Sequence, residues 1–355
     1  MRAIVISEQL GPPLAEGIRK FATSLVAGLD TYCETIGIGT ELSPETRDAH
    51  QGPAIGWIRG GKLFRNADLR YAIEQYAPDL VVYVPSASGT LFSFLRARQL
   101  KRIAPAAYVS MVLTQTRKHT AFSQMLLPRL APNSVFAQSE ANIRYLGKLG
   151  IEARFLPSGV DLDDYHPVNP EEKRRLRVKF RLPADDYLVL HAGHFTQARN
   201  TGLLEKLEGV GRGVMLAGAA GRDPQLKRQL ESRGVIVIDS YVDKVEELYQ
   251  AVDCYVFPTR EHDAAMEFPL SVLEAMACDL PVVSYPYGGL PLALDSGGGL
   301  TFAESDAEML DAIAKSKHVR ANTRAQAEQF AWKNIAARVL EAAEVRDAGT
   351  VVAAL

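Results

Sequence analysis

The chain has 355 residues, 47% of them hydrophobic and 23% charged, with a formal net charge of −2. This length suggests two domains of ordinary size, each able to bury its own core, and the composition is that of a soluble globular protein. Acidic and basic residues are interspersed, which excludes strong bulk attraction to nucleic acid or to a membrane but not a local basic face. The three cysteines, Cys33, Cys254 and Cys278, lie far apart and form no C-x-x-C pair. They read as free buried thiols in a reducing compartment. Residues 3–6 are too short for the apolar core of a signal peptide and read as a first strand. No apolar run approaches the ~20 residues of a membrane span.

Taken in order, the first half alternates short apolar runs with helical patterns. Residues 3–7 predict a strand and 8–16 a loop rich in Gly and Pro. Residues 17–29 predict an amphipathic helix with Ile18, Phe21, Leu25 and Leu29 on one face. Strands follow at 35–39, 80–84, 107–113, 134–138 and 153–156, with helices at 66–76, 90–100, 121–130 and 140–149. Residues 51–63 read as a flexible surface loop. The best domain boundary is 157–186, which holds P-S-G-V-D-L-D-D-Y-H-P-V-N-P and then a charged run at 171–181. Beyond it the alternation restarts, with strands at 187–192, 213–217, 235–238, 254–257, 281–285 and 299–302. Helices fall near 201–207, 223–233, 245–252 and 270–278, and the tail is helical at 306–316 and 323–345. Alternation of this kind means two successive parallel sheets with helices on both faces. Ligands in such sheets sit at the carboxyl ends of the strands, so the loops after strands hold the candidate sites.

The most informative stretch runs from 266 to 290, M-E-F-P-L-S-V-L-E-A-M-A-C-D-L-P-V-V-S-Y-P-Y-G-G-L. Phe268-Pro269 opens a helix, because proline is tolerated in the first turn, where its missing N–H is no loss. Leu270, Leu273, Met276, Ala277 and Leu280 make an apolar stripe at helical spacing. The unit is therefore strand, loop, helix, strand, and the N–H groups of the helix start form a ready anion site. Glu274 lies about one turn inside, near enough to that end to reach a ligand's hydroxyls.

The run F-P-L-S-V-L-E-A-M-A-C-x-L-P-V-V closely resembles the donor-site signature of retaining glycosyltransferases of family 4. The resemblance implies an α/β chain of the GT-B fold, two Rossmann-like doubly wound parallel-sheet domains facing across a cleft. Residues 1–158 would be the acceptor-side domain and 159–325 the nucleotide-sugar domain. Residues 326–355 would form a helix crossing back to the first domain, with Phe330-Ala331-Trp332 as the crossing. The implied reaction moves a sugar from a UDP- or GDP-sugar to a glycan, lipid-linked or small-molecule acceptor, with retention at the anomeric carbon. It implies no cofactor and no metal, and a cytoplasmic protein with peripheral contact at the inner face of the membrane. In the loop at 51–63, Trp57, Arg59 and Lys62 are candidates to touch a lipid-linked acceptor.

Family members carry two glutamates with seven residues between them. Glu274 fits the second, for the nucleotide ribose; the first position falls on Met266, with Glu267 one residue late. Asp279 replaces the usual glycine after the alanine-methionine-alanine run. The resemblance assigns donor binding to Gly17, Gly193, His194, Arg199, Glu267, Phe268, Pro269, Leu270, Ser271 and Glu274. It gives catalytic roles to Arg199, Glu267 and His119. Arg199 suits a leaving-group clamp, since guanidinium matches phosphate oxygens bidentately and stays charged; His194 stands where an arginine is usual. Gln115 stands where a histidine is usual, with His119 four residues on in Q-T-R-K-H-T, where Arg117 and Lys118 also suit an acceptor or developing charge. Asp161-Leu162-Asp163 spells a metal-binding pattern of the other large glycosyltransferase fold, but in this linker it reads as turn and helix-cap chemistry.

Breaking the anomeric C–O bond puts negative charge on the diphosphate, which Arg199 and the helix start before Leu270 would stabilise. The diphosphate itself could take the acceptor's proton, and the sequence nominates no enzyme nucleophile. Two other readings share the fold: a nucleotide-sugar epimerase, or a non-catalytic scaffold with a degenerate donor site.

Overall fold

The computed structural model describes residues 1–14, 16–40, 55–218 and 223–352. The chain forms two compact units. The first comprises Met1–Gly159, Met266–Phe268 and Trp332–Leu355, and the second Val160–Ala265 and Pro269–Ala331.

In the first unit the chain runs β1 (Arg2–Ser7), α1 (Gly17–Asp30), β2 (Glu34–Gly39), β3 (Ile55–Trp57), α2 (Ala67–Tyr76), β4 (Leu80–Val84), α3 (Leu91–Ile103), β5 (Tyr108–Leu113), α4 (Ala121–Leu130), β6 (Ser134–Ala137), α5 (Glu140–Lys148) and β7 (Ala153–Phe155). The strands pair in parallel in the order β3-β2-β1-β4-β5-β6-β7. Central strands such as β4, L-V-V-Y-V, are buried along their whole length, as expected where helices cover both faces. Helix starts are fixed by side chains that accept an early amide: Asn66 for α2, Thr90 for α3, Thr120 for α4 and Ser139 for α5. The chain steps outward from β1 to β3 and then returns to β4, so the topological switch point lies between β1 and β4.

The expected flexible loop at 51–63 is corrected here. Residues 51–54 lie outside the described residues, but Ile55–Trp57 adds β3 to the sheet edge. A Cβ on Gly39 would lie 2.2 Å from the Trp57 ring, so the indole packs directly against the β2 backbone at Gly39, a close approach that glycine allows. Trp57 therefore serves packing within the sheet. The expected single helix at 323–345 is also broken. A short helix and a 3₁₀ turn end at Phe330; Ala331 is then extended and pairs with Val160, whose N–H donates to the Phe330 carbonyl at 2.9 Å. The last helix, Trp332–Val352, packs on α1, with the Trp332 and Phe21 rings edge to face at 5.3 Å.

The second unit contains α6 (Pro170–Lys179), β8 (Leu188–Gly193), β9 (Arg212–Ala217), α7 (Pro224–Ser232), β10 (Ile236–Ile238), α8 (Val245–Ala251), β11 (Cys254–Phe257), α9 (Leu270–Ala277), β12 (Val282–Ser284), α10 (Leu290–Ala293), β13 (Leu300–Phe302), α11 (Asp306–Ser316) and α12 (Thr323–Ala327). Its parallel order is β10-β9-β8-β11-β12-β13, with the switch point between β8 and β11. The charged run expected as linker is the helix α6, started by Asn169 and Pro170. Arg177 turns inward from it to Asp253 at 2.6 Å. The stretch expected as a helix at 201–207 is 3₁₀ instead. Both units are thus Rossmann-like. Among the described residues no helix is long and apolar enough to cross a membrane.

Candidate active site

At the switch point of the second unit, β8 ends in His191-Ala192-Gly193 and β11 in Phe257. The chain leaves Gly193 through His194 and enters a 3₁₀ turn, Gln197–Arg199, which brings the Arg199 guanidinium back to the strand end. A Cβ on Gly193 would stand 3.0 Å from Arg199 Nη1 and 3.5 Å from His191 Nε2, so glycine is what admits both groups to one spot. His191 is fully buried, and its Nδ1–H donates to the Val256 carbonyl at 3.0 Å. Its Nε2 is therefore a bare lone pair, and that atom has no hydrogen-bond partner. Burial, then the neighbouring Arg199 charge, push the imidazole pKa down to about 3, so the ring is neutral. The Thr259 hydroxyl, just past β11, is likewise buried and without a partner.

The hydroxyl of Tyr255 shows how these parts meet. It approaches the Ala192 carbonyl at 3.5 Å, hydrogen-bonds with the Ser271 hydroxyl and lies within reach of the Arg199 and Glu274 charges. The end of β8 and the first turn of α9 are thus neighbours across β11. No side chain caps α9, whose N-cap is Pro269, so the amides of Leu270 and Ser271 belong to an uncapped helix start. Glu274, one turn on, is 6% exposed. It accepts a hydrogen bond from Tyr249, a hydroxyl held protonated chiefly by burial and then by this carboxylate, and Tyr165 is close by. Asp279 sits at φ +58° just past α9, the left-handed position that favours glycine. Its carboxylate accepts the Arg324 N–H at 3.2 Å, which gives an aspartate a use there that glycine lacks.

Asp161 accepts the amides of Asp163 and Asp164 at 2.9 and 3.1 Å, the turn chemistry read from its sequence. Among the described residues no three or more His, Cys, Asp or Glu gather as metal ligands would.

Glu267 and Phe268, directly before the N-cap of α9, pack with the first unit. The Glu267 carboxylate accepts the Thr116 N–H at 2.8 Å, the Thr116 hydroxyl, and the Ser139 hydroxyl at 2.7 Å, while its own N–H donates to the Thr114 carbonyl. The Phe268 carbonyl accepts from Ser158 at 2.6 Å, and its ring meets Phe155 edge to face at 5.9 Å. Gly17 opens α1 with Met266 against it; a Cβ there would lie 2.9 Å from the Met266 sulfur. His119 holds the Gly89 carbonyl with Nε2 at 2.6 Å and meets the Tyr145 hydroxyl with Nδ1 at 2.8 Å. A proton transfer through either nitrogen would have to break one of these bonds.

Sequence reasoning missed two groups. His191 reads as one histidine inside an apolar strand, indistinguishable by pattern from a core residue. Glu8, at the carboxyl end of β1, is the other. It is 6% exposed and accepts from Tyr83 at 2.5 Å, from the Ser86 amide at 2.8 Å and from Arg96. The first unit's switch point is thus filled by an acidic side chain with its own counter-ion.

Residues 189–316 match the family model described as Glycosyl transferases group 1. A D-inositol 3-phosphate glycosyltransferase of Mycolicibacterium smegmatis is 28% identical over 194 residues, 49% of this chain and 43% of that protein. One from Saccharomonospora viridis is 25% identical over 217 residues, 53% of this chain and 49% of that protein. The aligned part therefore spans about half the length of these curated relatives or less. Among solved structures, Anabaena HepE in complex with UDP-glucose superposes with a TM-score of 0.72 at 18% identity, covering 96% of this chain and 98% of that one. Sucrose-phosphate synthase from Thermosynechococcus elongatus gives 0.74 at 18% identity, covering 98% and 100%. These likenesses show the fold, an α/β chain of two Rossmann-like domains of the GT-B type.

Proposed function

We propose that the chain transfers a sugar from a nucleotide-sugar donor to a hydroxyl acceptor, starting from the match of residues 189–316 to the model described as Glycosyl transferases group 1. The observation that carries this is the convergence of Arg199, Gly193 and the uncapped start of α9 at the carboxyl end of β8. A fixed cation and a helix start suit the diphosphate of a departing nucleotide. Glu274, one turn further, offers acceptor oxygens suited to a ribose diol. HepE, solved with UDP-glucose, supports a UDP-sugar as the first donor to test.

As the anomeric bond breaks, Arg199 and the amides of α9 meet the charge that grows on the diphosphate. Preorganised donors of this kind reduce the barrier because they need no rearrangement during reaction. No resident metal is needed for this step. Retention at the anomeric carbon and a hexose as the transferred sugar are part of the same proposal, as are the acceptor role of residues 1–158, a glycan, lipid-linked or small-molecule acceptor, and a cytoplasmic setting.

A second reading, a non-catalytic scaffold, is favoured by one observation: Glu267 and the His119 ring are both committed to structural partners. Thermal shift with UDP, GDP and ADP separates the two, because a ligand bound only to the folded state raises its stability as RT ln(1 + [L]/Kd). A donor that shifts the melting point and is then cleaved, with retained configuration by proton NMR, supports the transferase. No shift with any nucleotide overturns it.

A further inference from the structure

At the carboxyl rim of the second sheet, Asp306 gathers side chains from the segments that follow β8, β11 and β12. Asn200 Nδ2 donates to its Oδ1 at 3.2 Å, and Lys206 Nζ to its Oδ2 at 3.0 Å. The Tyr285 hydroxyl, just past β12, also donates to Oδ1. Arg260, beyond β11, lies over the Tyr285 ring at 4.1 Å, donates to that hydroxyl at 2.8 Å and reaches Oδ1 at 3.5 Å. Asp306 itself opens α11 after the Ser305 cap, where a helix start favours negative charge. The Tyr285 hydrogen bond above all, then Lys206 and Asn200, hold its carboxyl below the ordinary carboxylate range against the opposing effect of burial.

Asn200 is the sensitive member of this cluster. It closes the 3₁₀ turn Gln197–Arg199 and opens the 3₁₀ stretch Thr201–Leu207, and its backbone is left-handed, at φ +51°. Asparagine tolerates that conformation better than most residues but is not fixed in it. The chain bends there, one residue past Arg199, so a change at Asn200 re-aims the guanidinium that Gly193 admits to the end of β8. The Asp306 carboxylate holds the Asn200 side chain from 106 positions away. A partly exposed carboxylate of this kind adds little to stability through its ion pairs, which leaves orientation as its main effect.

We propose that Asp306 is a positioning residue for Arg199: by fixing Asn200 it holds the turn in which the guanidinium faces the donor's diphosphate. It acts through the turn and not on the reacting atoms, and small misplacements of a catalytic group are costly in rate. The proposal deepens the transferase reading and rests on it for the task of Arg199.

The test uses the full chain, with donor cleavage and amide hydrogen exchange over residues 196–202 as its two readouts. Asp306→Ala should lower kcat by about tenfold to a hundredfold and speed exchange in that segment. The donor KM should stay nearly unchanged, as when an interaction made in the transition state is lost, and the melting temperature should hold. Asp306→Asn keeps an acceptor oxygen for Asn200 and should recover most of the rate. Asn200→Gly admits the left-handed backbone without the side chain, and combining it with Asp306→Ala should cost no more than Asn200→Gly alone. Lys206→Ala removes another contact of the same carboxylate and should leave kcat and the exchange as in the wild type. Unaltered kcat and exchange in Asp306→Ala, additive losses in the pair, or an equal fall with Lys206→Ala would overturn the proposal. If Asp306→Ala does not fold, Asn200→Gly reads the same tie from its other end. A wild type that cleaves no donor sinks the transferase reading, while the exchange over 196–202 still decides whether Asp306 orders the Arg199 turn.

Discussion

Lowering the pH from 6 to 4 should strip stability from the second unit through His191. The imidazole is buried, donates to the Val256 carbonyl and lies beside the Arg199 charge, so its folded pKa falls to about 3 against an ordinary 6.5. Between those values the unfolded chain binds a proton that the folded chain refuses. The contribution is therefore fully present above about pH 6.5 and is lost as pH falls through the window toward 3. The slope is about 1.4 kcal/mol per pH unit, roughly 2–3 kcal/mol between pH 6 and 4 and at most about 5 kcal/mol in all. In a domain of this size that corresponds to a fall of about 5–10 °C in melting temperature over the first two units. The control is His191→Asn, whose side-chain amide can still donate to Val256 but does not titrate. Calorimetric melts of both proteins at several pH values should give a steeper acid loss for the wild type. Parallel loss in the two would refute the burial argument, because the carboxylates common to both would then account for all of it.

Arg199→Ala should lower kcat for donor cleavage by about a hundred- to a thousandfold, while leaving the fold's melting temperature within a few degrees. An unchanged kcat on any cleaved donor would remove Arg199 from the leaving-group role. Glu267→Ala should destabilise the first unit by about 2–4 kcal/mol in urea, since it strips acceptors from Thr116 and Ser139. Normal stability with a collapsed kcat would show instead that Glu267 serves the sugar. Gly39→Ala should cost about 1–3 kcal/mol, because its new methyl meets the Trp57 ring, whereas Gly56→Ala, with open space around it, should change stability by less than about 0.5 kcal/mol.

Much of the fold was legible because strands buried on both faces write themselves as continuous apolar runs. The run at 80–84 gave β4 its observed limits, and 254–257 did the same for β11. Strand β3 was not legible: three residues at a sheet edge, one of them glycine, carry too little pattern, and what makes Ile55–Trp57 a strand is the glycine it packs on. The break at Ala331 was hidden for a similar reason. Its cause is a pairing with Val160, far off in sequence, while the local pattern reads as unbroken helix. In the candidate site, strand-end logic located Gly193 and Arg199, since topology alone decides which loops matter. It could not foresee the surroundings of Glu267, whose partners Thr116 and Ser139 lie 151 and 128 positions away. Nor could it separate His191 from core.

Two sheets wound the same way provide two crevices of the same kind, yet Glu8 makes them unequal. Its buried carboxylate occupies the first unit's crevice and takes up the Tyr83, Ser86 and Arg96 donors that a phosphate would need there. A duplicated architecture thereby acquires a division of labour from one acidic side chain. Calorimetric titration with a nucleotide should accordingly saturate at one equivalent per polypeptide rather than two.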